Sequence, residues 1–192
     1  MVRPAPATVN PRIRVDPRIR SVAPRASLRV LGIDPGTLRL GYGVIECHGR
    51  AEVRYVECGV ISAPARDPRP ARLAEIGRGL RELLVELRPD AVAMEEAFFG
   101  KNVQSTLALG EARGVAIFVA AELGLTVSGY APATVKQAVV GHGRATKDQI
   151  GYLVRALLSM RSVPEPDAAD ALAIAICHAR AAVSGAPGKR RA

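Results

Sequence analysis

With 192 residues, 48% of them hydrophobic, the chain is long enough for one domain with a sizeable core, and no long uncharged apolar run offers a membrane-spanning helix. The formal net charge is +9, but residues 1–26 hold six Arg against Asp16 alone, and Lys189, Arg190 and Arg191 add three more positive charges. The body between them is close to neutral, so net charge alone assigns no nucleic-acid partner.

The first segment, Met1 to about Ala26, is rich in Pro and Arg and contains a near-repeat, PRIRV followed by DPRIR. It has neither helical nor strand period and reads as a disordered basic extension. It has few hydroxyl residues for an organellar transit peptide and no apolar core for a secretion signal. LRVLGID (Leu28–Asp34) is then a short apolar run closed by an acid. GYGVIEC (Gly41–Cys47) and RYVECGVIS (Arg54–Ser62) follow after tight connections, which predicts an antiparallel meander of three strands. From about Pro70 to Leu87, leucines and Ile76 recur at helical spacing. DAVAMEE (Asp90–Glu96) reads as a fourth, buried strand. A long helix over about Asn102–Leu123 carries small residues at Ala108, Gly110, Ala112 and Gly114, and TVSGYA (Thr126–Ala131) fits a fifth strand. Helices near Pro132–Val140, Thr146–Met160 and Asp167–Val183 finish the body, and a loose basic tail begins at about Gly185. The alternation in the second half predicts parallel strands covered by helices, hence a mixed five-stranded α/β sheet. Domain limits follow: an extension over 1–26, one folded domain over 27–184, a tail over 185–192.

Four acids stand out by position. Asp34 closes the first strand, Glu95 closes the fourth, and Asp167 and Asp170 open the last helix after Pro164 and Pro166. If the first and fourth strands are neighbours, Asp34 and Glu95 project from the same end of the sheet. The i, i+3 spacing puts Asp167 and Asp170 on one face of a helix start. Carboxylates brought together in this way repel one another unless cations neutralise them, and all-oxygen ligands suit hard divalent ions such as Mg²⁺ or Mn²⁺. Each acid also has a plainer reading. Asp34-Pro35-Gly36 is good turn chemistry, Glu95 can be a solvated strand end, and Asp167 with Asp170 can serve as cap and first turn of a helix. Local sequence leaves those alternatives open. Cys47, Cys58 and Cys177 have no CxxC spacing and read as free thiols of a reducing compartment. His48, His142 and His178 show no paired spacing that demands a metal.

Read in order, LGIDPGTLRLGYGVIE, AMEEAFFGKN, LGEARGV, VKQAVVGHGRATK and PDAADALAIAICH closely resemble the RuvC crossover junction endodeoxyribonucleases, from about Leu28 to Ala182. The resemblance implies a ribonuclease H-like fold. It also implies a cytoplasmic homodimer that binds a four-way (Holliday) junction and cuts it by symmetric paired nicks, beside a branch-migration complex of the RuvA and RuvB type, with no membrane involved. The acids of its motifs fall on Asp34, Glu95, Asp167 and Asp170, expected to hold two Mg²⁺ per subunit, with Mn²⁺ able to substitute, and to leave 5′-phosphate and 3′-hydroxyl ends. Glu95 is chosen over Glu96, which stands where the family often has Gln. Phe98 matches an aromatic that contacts bases in the family, although Phe99-Gly100 departs from the common wording. Lys136 and Lys147 match basic positions near the family's active site, and Lys101 and Arg113 are further candidates for the DNA backbone. Three rivals remain at this level: an ATPase of the actin or sugar-kinase type, suggested by GIDPGT but lacking room for a second lobe; a junction-binding module without chemistry; and a nuclease of the same fold acting on another substrate such as RNA.

Overall fold

The computed structural model describes residues 27–48, 52–96, 103–141 and 146–183. The expected basic extension and tail lie outside these described residues. Five strands, β1 (Ser27–Asp34), β2 (Arg39–His48), β3 (Glu52–Ser62), β4 (Ala91–Glu95) and β5 (Val127–Tyr130), form one sheet in the order β3-β2-β1-β4-β5. The first three make the expected antiparallel meander, while β4 runs parallel to both β1 and β5. Helices α1 (Arg69–Leu87), α2 (Val103–Glu122), α3 (Pro132–Val140), α4 (Lys147–Leu157) and α5 (Pro166–Val183) complete the domain.

The apolar run of β1 is continuous because the sheet is covered on both faces. Leu31 and Ile33, with Val92 and Met94 of β4, pack with Ile76, Leu80 and Leu84 of α1 and Ala116, Val119 and Ala120 of α2. Val30 and Ala93 face the other way and join Val135, Ile150, Val154 and the apolar body of α5. That body, Ala171 to Cys177, is buried on every side, as expected for a helix that is apolar all round. Its small residues and three sheet glycines bring backbone against backbone. A Cβ at Gly32 would sit 2.0 Å from the Ala171 carbonyl oxygen, one at Gly41 would sit 2.1 Å from that of Asp167, and one at Gly43 would sit 2.6 Å from Leu172 Cγ.

Register at the opposite end of the sheet is fixed by Arg29. Its backbone N–H donates to Asp90 Oδ2 at 2.7 Å, and its guanidinium donates to the Leu87 carbonyl at 2.7 Å and, through Nε, to Glu46 Oε1 at 2.9 Å. One residue thus ties β1 to β2 and to the end of α1 through its side chain, and to the entry of β4 through its backbone. The hydrogen bonds to Arg29 hold the Glu46 carboxyl below its usual pKa. Helix α4 starts where Thr146 and Gln149 form a reciprocal capping box.

Gly32→Ala is expected to lower urea stability by about 1–3 kcal/mol or more, because the added methyl meets immovable helix backbone. Equilibrium unfolding of the two proteins, with circular dichroism to confirm the fold, measures it.

Candidate active site

The parallel ladder between β1 and β4 runs in register from Val30↔Ala91 to Ile33↔Met94, so Asp34 and Glu95 end their strands level with each other. Side chains alternate along a strand. Leu31, Ile33, Val92 and Met94 face α1 and α2, whereas Val30, Gly32 and Ala93 face α5. The same alternation sends Asp34 and Glu95 to the α5 side. Gly41 stands opposite Asp34 in the ladder with β2, and the Asp167 backbone lies directly on Gly41. Asp170 follows one turn later, just before Ala171, which lies on Gly32. The start of α5 is therefore laid over β1 and the beginning of β2, on the side of the sheet to which Asp34 and Glu95 point. Asp167 also sits in the first turn of α5, where the exposed N–H groups and helix dipole favour negative charge.

Glu96 is separated from this group. A Cβ at Gly129 would sit 3.1 Å from Glu96 Oε1 and 3.4 Å from Arg113 Nη2. Both side chains therefore cover β5 on the α2 side. Arg113, considered above as a DNA contact, also donates from Nη1 to the Glu95 carbonyl oxygen. Its guanidinium is engaged in holding the end of β4.

Sequence reasoning missed two arrangements around the acids. Arg39, the first residue of β2, donates from Nε to Asp167 Oδ2 at 2.6 Å and from Nη2 to Glu165 Oε2 at 2.9 Å. The bond to Asp167 is the largest influence raising the guanidinium pKa above its ordinary value. An Arg within the first tight connection and an acid beside Asp167 were visible in the sequence, but nothing local joined positions so far apart. The second arrangement is at Tyr130, level with Glu95 in the β4–β5 ladder, whose hydroxyl lies 2.8 Å from His178 Nδ1. Burial lowers the His178 pKa.

The other site candidates fall unevenly. Lys136 is half-buried on α3, and Lys147 is the first residue of α4, with its side chain outside what is described. Phe98 and Lys101 lie outside the described residues. Among the described residues no three His, Cys, Asp or Glu side chains already form an ion-holding group. Asp34, Glu95 and Asp170 each have an interaction partner as they stand.

Residues 30–178 match the family model described as "Crossover junction endodeoxyribonuclease RuvC". The chain belongs to the RuvC family. RuvC from Chloroflexus aggregans is 51% identical over 153 residues, covering 79% of this chain and 93% of the relative, and that from Rubrobacter xylanophilus is 48% identical over 167 residues, covering 85% and 93%. Among solved structures, Thermus thermophilus RuvC in complex with a Holliday junction substrate superposes with a TM-score of 0.77 at 38% identity, covering 83% of this chain and 97% of the other. The yeast mitochondrial Holliday junction resolvase Ydc2 shares the fold, with a TM-score of 0.61 at 16% identity over 87% of this chain and 84% of its own. The sheet order and flanking helices are thus those of RuvC and its ribonuclease H-like relatives, as the resemblance implied. RuvC proteins are metal-dependent nucleases, and the donor set here fits that chemistry. The four carboxylates offer only oxygen, the preference of hard divalent ions.

The Tyr130–His178 pair gives a pH signature. His178 has a folded pKa below 6.5, so as pH falls through 6.5 the unfolded chain takes up a proton that the folded chain resists. Stability contributed by neutral His178 is complete above that pH and is lost as pH falls toward the folded value. Denaturant unfolding between pH 7.5 and 5 should show this decline in the wild type and a shallower one in His178→Gln.

Proposed function

We propose that this chain is a junction-resolving nuclease, cutting four-way DNA by symmetric, metal-dependent paired nicks in recombination and repair. The observation that supports the reading is that β1 and β4, paired in register, end in Asp34 and Glu95 on the side of the sheet where α5, opening with Asp167 and Asp170, packs on Gly41 and Gly32. Membership of the RuvC family and the likeness to a RuvC bound to a Holliday junction give that arrangement its substrate.

In this reading the four carboxylates hold Mg²⁺, two ions per subunit, with Mn²⁺ able to substitute. Bound there, the ions supply activation of water and neutralisation of charge on the phosphate oxygens. Asp34 and Glu95 project from paired strands and give fixed ligand positions, while Asp167 and Asp170 close the site from the helix. Hydrolysis proceeds without a covalent protein intermediate and leaves 5′-phosphate and 3′-hydroxyl ends. Lys136 and Lys147 hold phosphate, Lys101 contacts the DNA backbone, and Phe98 stacks on a base near the crossover.

Paired cutting calls for two sites, and α2 offers a face for a second copy. Val103, Leu107 and Phe118 are 79%, 59% and 61% exposed, and Gly110 and Gly114 have open space where a Cβ would be. These positions recur along one helix as a coiled-coil seam would require. Resolution follows branch migration, so a motor of the RuvA and RuvB type is the expected companion. Cys47, Cys58 and Cys177 are free, which suits the reducing cytoplasm.

A synthetic four-way junction should be nicked in symmetric pairs with Mg²⁺ present, and neither linear duplex nor chelated reactions should show such nicks. Asp34→Asn is expected to reduce cutting by more than roughly 100-fold, since even a residue that only orients a metal ligand is commonly worth 10–100-fold. It should leave junction binding in place, and Glu96→Gln should cut nearly as the wild type does. Full cutting by Asp34→Asn would refute the assignment, and binding without cutting in the wild type would favour a module that has lost its chemistry. Leu107→Glu should shift the protein from dimer to monomer in sedimentation analysis while the fold persists.

A further inference from the structure

We propose that Arg39 is a built-in counter-cation of the ion site, which Asp167 gives up when a divalent ion binds, so that the Arg39–Glu165 pair sets the affinity of the site for its metal. The inference rests on the metal reading above and concerns residues outside the four carboxylates.

The geometry is a fork across two acids. Arg39 opens β2, on the strand that pairs with β1, and reaches past Gly41 to the start of α5. Its Nε donates to Asp167 Oδ2 at 2.6 Å and its Nη2 to Glu165 Oε2 at 2.9 Å. Glu165 directly precedes the first residue of α5, and its carbonyl accepts from Ala169 N–H at 2.8 Å, so its backbone is fixed relative to Asp167. The Arg39 side chain is 48% exposed. It can therefore leave Asp167 without stranding a charge in the core, and two acids held on one helix start would otherwise repel each other.

A guanidinium on Asp167 opposes a divalent ion in two ways. It occupies lone pairs that the ion would use, and it places a positive charge beside the ion's position. Glu165 acts in the opposite sense. It draws part of the guanidinium toward itself and retains Arg39 nearby once Asp167 has turned to the ion. Loading then becomes an exchange of one cation for another at Asp167, with Glu165 as the resting place of the displaced one.

The test is Mn²⁺ binding to the full-length, DNA-free protein, followed by electron paramagnetic resonance. Arg39→Gln should bind Mn²⁺ about 5-fold more tightly, the size expected for removing a half-exposed ion pair. Arg39→Lys, which keeps the charge but not the fork, should fall between the two. Glu165→Gln should bind more weakly than wild type. In the wild-type protein, Mg²⁺ should also shift the Arg39 Nε–H resonance as the bond to Asp167 opens. Unchanged Mn²⁺ affinity in Arg39→Gln would reduce the pair to a surface salt bridge, and weaker binding would make Arg39 an aid to metal binding; either overturns the proposal while leaving the ion site standing. Absence of Mn²⁺ binding in all four proteins would overturn the ion site itself, and this inference with it.

Discussion

The arrangement depends on the approach of α5 to the sheet. Helices ordinarily ride on a sheet with side chains between them, but here Gly32 and Gly41 let the backbone of β1 and β2 lie directly on that of α5, and Gly43 makes room for the Leu172 side chain. The helix contributes Ala171 and Ala175, both buried, to the contact with Gly32. Close-packed interiors do not tolerate even one added methyl where backbone meets backbone. The contact fixes both the height and the direction of α5, and so determines where its first turn falls. Asp167 lies over Gly41 because the glycines admit it there, and Asp170 is carried along by the helical repeat.

A second constraint acts within the sheet. Strand alternation makes each face a separate chemical environment, and a shift of one residue exchanges them. The Arg29 bonds to Asp90, Leu87 and Glu46 hold β1, β2 and β4 in register at the end far from the acids. With that register set, Asp34 and Glu95 fall on the α5 side, and Glu96 falls on the α2 side next to Arg113. Two adjacent glutamates with similar local sequence thereby receive different surroundings. The hydrogen bond from Arg113 to the Glu95 carbonyl links that strand end to the body of α2, so the proposed dimer helix and a proposed metal ligand share one contact.

Much of this was legible in the sequence because the signals are local. Apolar runs bounded by turns placed every strand within a few residues, and helix α3 was placed at its observed limits, Pro132–Val140. The motif order gave the family. What stayed hidden depends on contacts between distant residues. The neighbourhood of β1 and β4 could only be supposed until the ladder was seen. Arg39 reaches Glu165 and Asp167 across more than a hundred residues of chain, and Tyr130 finds His178 across the sheet. No periodicity or propensity encodes such pairs. Arg113 likewise gave no local sign that its guanidinium donates to the Glu95 carbonyl.

The near-neutral charge of the folded body acquires a meaning from the site. DNA presents a closely spaced row of negative phosphates, and affinity comes mainly from the cations set against it. On the proposed reading, four carboxylates at one end of the sheet would repel that backbone where it comes closest. A guanidinium on Asp167 and the N-terminal dipole of α5 offset part of this charge in the metal-free protein. Divalent ions, on the proposed reading, offset more and do so between the carboxylates and the phosphate. A body with little net charge can then present DNA with an attractive site chiefly when the ions are in place, which couples substrate binding to the readiness of the site for chemistry. By linkage the coupling is reciprocal: DNA bound across the site must tighten its hold on the ions by the same factor.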